Sequence, residues 1–235
     1  KHGVELKLNT TFDSSGATGF DEVVVATGII PRKLSLEGID HEKVVSYLDV
    51  LQKKVTVGEK VAIIGAGGIG FDVAEYLTHQ GESTALSSSA FMKEWGVDQN
   101  LDARGGVEGV KPQVVKSFRK VFLLQRKKSK VGAGLGKTTG WAHRFSLRSK
   151  NVKMINGVSY SKIDDKGLHY IKNEKKIILD VDHIVICAGQ LSNSSLHKQL
   201  ISNEVKAHLI GGAFKAAEID AKEAINQAVK LAAVI

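Results

Sequence analysis

Three features of this 235-residue chain predict an α/β fold built on a Rossmann-like sheet. The β-branched run at 23–25 and the apolar runs before Gly65 and at 120–125 have the length and composition of buried strands. Helical periodicity follows two of these runs, so strands alternate with helices. A glycine-rich turn, Gly65-Ala66-Gly67-Gly68-Ile69-Gly70, joins the second strand to its helix.

In chain order, "GVELKLNTTF" (3–12) alternates apolar with polar residues and predicts a half-exposed strand ending in a turn. "FDEVVVATGIIPR" (20–32) predicts a fully buried strand over Val23 to Val25, stopped by Pro31. Residues 33–58 read as connecting structure with a short helix in "VVSYLDVLQKK". "EKVAIIGAGGIGFDVAEYLTHQG" (59–81) is the clearest unit. A strand runs into Gly65, and helical spacing through Ile69, Val73, Tyr76 and Leu77 stops at Gly81. Residues 82–112 are rich in Ser and Gly, poorly periodic, and read as an insertion. "KVFLLQRKK" (120–128) is a further strand, and "WAHRFSLRSK" is a helix with Arg144 and Arg148 on one face. Residues 152–190 read as a β-meander, with turns at Asp164–Gly167 and Asn173-Glu174. "VKAHLIGG" (205–212) is a last strand before a helix running from about Asp220 to the end.

Composition narrows the class. Hydrophobic residues at 43% and charged residues at 25% are those of a globular protein with a proper core. No apolar run reaches the roughly 18–20 residues of a bilayer span, and no secretory leader opens the chain, so a cytoplasmic protein is expected. The single cysteine, Cys187, rules out an internal disulfide or a multi-cysteine metal site and predicts a buried structural thiol. The net charge of +8 points to anionic partners, and much of it lies in "RKVFLLQRKKSK" (119–130). The chain opens on Lys1 rather than Met, which predicts a fragment of a longer polypeptide.

The turn at 65–70 matches G-x-G-x-x-G in its required setting between strand and helix. Gly65 makes the tight turn, Gly67 lets backbone approach a pyrophosphate, and Gly70 lets helix and strand pack closely. The N-terminus of the helix, from Gly68 and Ile69, adds free N–H groups and a positive dipole. An NAD site places an acid about 20 residues further on. Here Asp72 and Glu75 come too early, and the next strand ends in Arg126-Lys127-Lys128. Cations at that place suit the 2′-phosphate of NADPH, with Arg126 the expected contact and Lys127 its helper. "VGAGLGKTTGW" (131–141) ends like a nucleoside-triphosphate P-loop. However, that motif needs glycine five residues before Gly136, where this chain has Val131.

Together, "KVAIIGAGGIGFDVAEYL", "LQRKKSKVGAGLGKTTGWAHR", "GVSYSKIDDKGLH", "VICAGQ" and "HLIGG" resemble the C-terminal part of bacterial NADPH-dependent 2,4-dienoyl-CoA reductases. That family is similar in this region to the trimethylamine dehydrogenase flavoproteins and more distantly to disulfide reductases. The resemblance implies an NADPH-binding domain inserted into an incomplete FAD-binding domain. Residues 1–30 and 192–235 would be parts of the FAD domain and 31–191 the NADPH domain. An absent N-terminal TIM barrel would carry FMN and a [4Fe–4S] cluster, and the intact enzyme would reduce dienoyl-CoA in unsaturated fatty-acid β-oxidation. By the same resemblance Thr11 and Phe12 would lie by the FAD adenine, and Thr27-Gly28 would close the FAD half. Gly212 stands where relatives carry an Asp on the ribityl chain, and Ile219, Asp220 and Ala221 would aim a helix N-terminus at the flavin. For Asp220 a plain N-cap is an equal reading. The 131–141 loop is expected over or beside the NADPH, with Lys137 and Thr138 touching a phosphate or only fixing the loop.

The partners expected are the missing parts of the same polypeptide and the dienoyl-CoA, with no nucleic acid and no membrane. No acid–base dyad is evident, and none is required for hydride delivery between cofactors. His143 reads as a structural or phosphate-facing residue before a catalytic base. The alternatives are a flavin-reducing module of a trimethylamine dehydrogenase-like enzyme, a non-catalytic nucleotide-binding module, and a nucleic-acid binder. The last lacks an aromatic platform.

Overall fold

A computed structural model describes residues 3–216 and 221–235, and the chain divides into two compact units, Lys1–Arg32 with Gly189–Ile235, and Lys33–Ala188. A 3-10 turn at Ser14–Ala17, capped by the Asp13 carboxylate, precedes strand β1 (Val23–Val25), and β2 (Ile29–Pro31) follows. In the second unit β3 (Val44–Ser46) runs directly into helix α1 (Tyr47–Leu51), because the Ser46 hydroxyl accepts the Leu48 N–H as an N-cap. Then come β4 (Lys60–Ile64), α2 (Gly68–Thr78) and, inside the 82–112 segment, α3 (Ser88–Trp95). Strand β5 (Lys120–Leu124), helix α4 (Gly140–Ser149) and β6 (Lys153–Ile155) continue the alternation. Strands β7 (Ser159–Asp164), β8 (Gly167–Lys172) and β9 (Lys175–Leu179) form a meander, and β10 (His183–Ile186) closes the unit. The first unit resumes with β11 (Gln190–Ser192), α5 (Ser195–Ser202), β12 (Ala207–Leu209), α6 (Gly211–Phe214) and α7 (Ala221–Ala232).

The second unit is a three-layer sandwich around a parallel sheet of order β3-β10-β4-β5-β6. Period-two alternation along β4 and β5 sorts its side chains between two cores. Val61, Ile63, Val121 and Leu123 face one way and pack with Phe71, Val73 and Leu77 of α2 and Leu147 of α4. Ala62, Ile64, Phe122 and Leu124 face the other way, against Val158, Ile163, Leu168 and Tyr170 around the meander. Both faces are therefore covered, as a parallel sheet requires. Each fully buried Ile, Leu or Phe here contributes about 1.5–3 kcal/mol.

The first unit has two short pairings, β1 with β12 in parallel and β2 with β11 antiparallel. Its core is small: Ala17, Val25 and Leu200, flanked by Val23, Leu196, Val205, Ala207 and Leu209.

Several sequence expectations change here. Residues 3–12 form no strand; Val4, Leu6 and Leu8 are exposed, because alternation makes a strand only where a neighbouring strand takes the hydrogen bonds. The run at 23–25 is fully buried only at Val25: Val23 and Val25 share one face and pack with Ala17 and Leu200, whereas Val24 points to the other face and is exposed. Residues 44–46 are a strand ahead of the expected helix. The expected meander is narrower, because its first and last strands, β6 and β10, join the parallel sheet instead. The 82–112 segment holds a helix, α3, started by the Ser87 hydroxyl accepting the Ala90 N–H and ended by Gly96 in the left-handed conformation.

Candidate functional site

The glycine turn between β4 and α2 is built by three different constraints. Gly65 has φ +111°, and a Cβ on it would lie 2.2 Å from the Cys187 carbonyl oxygen, so only glycine serves. A Cβ on Gly70 would lie 1.9 Å from the Gly65 carbonyl oxygen, so the first turn of α2 presses directly on the strand end. Gly67 is exposed and is the N-cap of α2, with no side chain capping the helix. A helix start without a capping side chain, here over Gly68 and Ile69, is of the kind that can take an anion.

The neighbouring strand brings cations to the same end of the sheet. Ile64 pairs with Leu124, and the Gly65 N–H donates to the Leu124 carbonyl at 2.9 Å, so the two strands end side by side. Arg126 and Lys127 follow Leu124 almost at once and are exposed. A donor-rich helix start, a glycine turn and two exposed cations suit the phosphates of a dinucleotide.

Two residues that the sequence reading passed over hold this cationic loop. The Gln125 side-chain amide donates to the carbonyls of Lys127 (3.0 Å) and Ser129 (2.7 Å). The Asn156 amide donates to those of Lys128 (2.7 Å) and Ser129 (3.2 Å). Gln125 directly precedes the basic run, but Asn156 lies 26 residues beyond its end and carries no signal in the sequence.

The loop at 131–141 closes on itself. The Gly140 N–H donates to the Gly136 carbonyl at 2.8 Å, Leu135 N–H to Gly132 at 3.2 Å, and Arg144 Nη1 to Gly132 at 2.8 Å. A Cβ on Gly132 would lie 2.6 Å from the Phe71 ring, so this end of the loop is packed on the first turn of α2. Lys137 and Thr138 are exposed and stand before α4 rather than in its first turn, unlike a P-loop.

His143 faces Glu75, with Nδ1 3.2 Å from a carboxylate oxygen, in a cleft of about 380 Å³ that also contains Trp95, Glu94 and Thr84. Trp95 stacks on Phe145 at 5.4 Å between centroids and meets Trp141 edge-on at 6.0 Å, which pins α3 to α4. Burial pushes the Cys187 thiol up to about 12, as expected of a structural cysteine.

In the first unit Thr27, Gly28 and Gly212 come together. Thr27 Oγ1 donates to the Asn193 carbonyl at 2.5 Å, and the Asn193 N–H donates to Gly28 at 3.0 Å. Gly28 has φ +72°, and a Cβ on Gly212 would lie 3.2 Å from the Gly28 carbonyl carbon and 2.9 Å from Ile29 Cγ2. The glycine at 212 thus keeps two backbones close. Phe12 and Thr27 line one shallow apolar depression beside β1, with Phe20 and Leu196. Thr11 and Phe12 do not follow a strand, contrary to expectation, and lie in an irregular exposed segment. Ala221 begins α7, whereas Ile219 and Asp220 lie outside the described residues.

A parallel sheet with a glycine turn at the carboxyl end of one strand and cations at the end of the next defines a dinucleotide-binding α/β protein. The chain belongs to the pyridine nucleotide-disulphide oxidoreductase family, whose model matches residues 1–208. It therefore shares the FAD/NAD(P)-binding oxidoreductase fold. It is 30% identical over 230 residues to cinnamate reductase of Clostridium sporogenes, covering 92% of this chain and 27% of that protein. In fold it is similar to a 2-naphthoyl-CoA reductase (TM-score 0.75, 22% identity), with 99% of this chain and 30% of that one covered. Histamine dehydrogenase from Rhizobium sp. 4-9 gives TM-score 0.65 at 15% identity, with 95% and 32% covered. The chain thus spans about a third or less of the length of these relatives. With one cysteine it has no dithiol of its own. Among the described residues no helix is long and apolar enough to cross a membrane.

Proposed function

We propose that this chain is the NADPH-binding, flavin-facing portion of a larger reductase of unsaturated acyl compounds, of the 2,4-dienoyl-CoA reductase type. The observation that carries the reading is the pairing of the Gly65–Gly70 turn with the exposed Arg126 and Lys127 at the adjacent strand end. The similarity to a cinnamate reductase supports an acceptor with a carbon–carbon double bond conjugated to a carbonyl.

In this reading the first-turn amides of α2 take the pyrophosphate, and the absence of a side chain at Gly67 allows that contact. Arg126 takes the 2′-phosphate in a charge-assisted pair, with Lys127 beside it. When bound, the nicotinamide supplies hydride to FAD, and the protein's part is to orient the two. Thr27, Gly28 and Gly212 would form the surviving side of the FAD site, with Phe12 and Thr11 towards the adenine and Ala221, at the start of α7, towards the flavin; Ile219 and Asp220, outside the described residues, would belong to the same contact. The chain carries one cysteine, so a [4Fe–4S] cluster and FMN would belong to the portion of the polypeptide outside it. Residues 31–191 would be the NADPH domain, and the flanking segments part of the FAD domain.

Arg126→Ala tests the cofactor assignment. Losing one charge-assisted contact of about 1.5–3 kcal/mol should weaken NADPH binding by roughly 10- to 100-fold and leave NADH nearly unchanged. Equal losses for both cofactors would overturn it. A flavin-reducing module of an amine dehydrogenase-like enzyme is the second reading, supported by the fold likeness to histamine dehydrogenase. Dienoyl-CoA reduction driven by NADPH in the intact protein separates the two.

A further inference from the structure

The 127–130 segment has all four of its successive carbonyls satisfied from within the unit. Lys127 accepts from the Gly157 N–H at 3.0 Å and from Gln125 Nε2 at 3.0 Å. Lys128 accepts from Asn156 Nδ2 at 2.7 Å. Ser129 accepts from Gln125 at 2.7 Å and Asn156 at 3.2 Å, and Lys130 from the Ala133 N–H at 3.0 Å. Lys172 Nζ lies 3.4 Å from the Asn156 oxygen, which fixes the amide with its nitrogen towards the loop. Meanwhile the side chains of Arg126, Lys127 and Lys128 are exposed.

We infer that Gln125 and Asn156 are positioning residues that make this loop selective for a phosphorylated ribose. The physical reason is the sign of the carbonyl dipole. A free carbonyl beside a phosphate repels it and offers a competing partner to the neighbouring cations. With three carbonyls tied inward by the side-chain amides and the fourth by the Ala133 N–H, the exposed cations are left to face the ligand, so the 2′-phosphate meets a surface of one polarity. Neither amide touches the ligand. Each acts through Arg126 and Lys127, by fixing the backbone that carries them. The inference rests on the reading of Arg126 as the 2′-phosphate contact.

The test is a titration of the chain with NADPH, NADH and 2′,5′-ADP in wild type, Asn156→Ala, Gln125→Met and Arg126→Ala. The clamp predicts that Asn156→Ala weakens NADPH and 2′,5′-ADP by about tenfold, the worth of one or two hydrogen bonds, while NADH shifts by less than about twofold. Gln125→Met keeps the side-chain length, removes both donated bonds, and should give the same selective loss; it decides the matter if Asn156→Ala fails to fold. A selective loss in Arg126→Ala with unchanged or equally reduced affinities in both amide variants overturns the clamp and leaves the cofactor reading standing. No selective loss in Arg126→Ala overturns both.

Discussion

At the scale of single residues, glycine turns are decided by where a missing methyl group would go. A Cβ on Gly70 would fall 1.9 Å from the Gly65 carbonyl oxygen, whereas one on Gly68 would meet nothing within 4 Å. Gly70→Ala should therefore cost about 1–3 kcal/mol by overpacking and lower the melting temperature. Gly68→Ala should leave stability unchanged or raise it by about 0.5–1 kcal/mol, since alanine is the better helix former. Thermal melts of the two variants compare these outcomes, and similar destabilisation by both would contradict the packing given to the turn.

Cys187 carries a second prediction. Its folded value of about 12 lies above that of a free thiol near 8.5, so the neutral thiol favours folding below pH ~8.5. That contribution is lost as pH rises from there towards 12. At pH 8 a thiol reagent should label the native chain roughly a hundredfold or more slowly than the chain in guanidinium. Equal rates would show that the thiol is free.

At the scale of elements, what the sequence disclosed followed the strength of local periodicity. β4, α2 and β5 were legible because their apolar residues recur at strand and helix spacing and continue into a glycine motif with one structural setting. The 3–12 segment was misread because alternation records which side chains want burial, not whether a sheet edge exists to receive the strand. α3 was missed behind its serine-rich start, although Phe91 and Trp95 stand at the i, i+4 spacing of a helix face. That face attaches the segment to α4 through Trp95 and Phe145. Trp95→Ala should cost about 2 kcal/mol, less than a fully buried aromatic, and remove hydrogen-exchange protection from residues 84–97 while leaving nucleotide binding unchanged. Retained protection there would mean the aromatic stack does not hold α3. Gln125 and Asn156 were illegible for another reason: their partners are carbonyls, which carry no residue-type signal.

At the scale of the whole molecule, the two units differ in how much core they hold. The second encloses its sheet on both faces, while the first leaves Phe214, Ile225 and Val229 each more than 60% exposed around a few buried residues. With the span of about a third or less of its relatives' length, this supports the reading of the first unit as part of a larger FAD domain. The nucleotide preference of the second unit is read by isothermal titration of the chain with NADPH, NADH and FAD. One NADPH site is expected, at least about tenfold tighter than NADH, with FAD bound well below one equivalent. Equal affinity for NADPH and NADH, or stoichiometric FAD with no nicotinamide nucleotide bound, would contradict it.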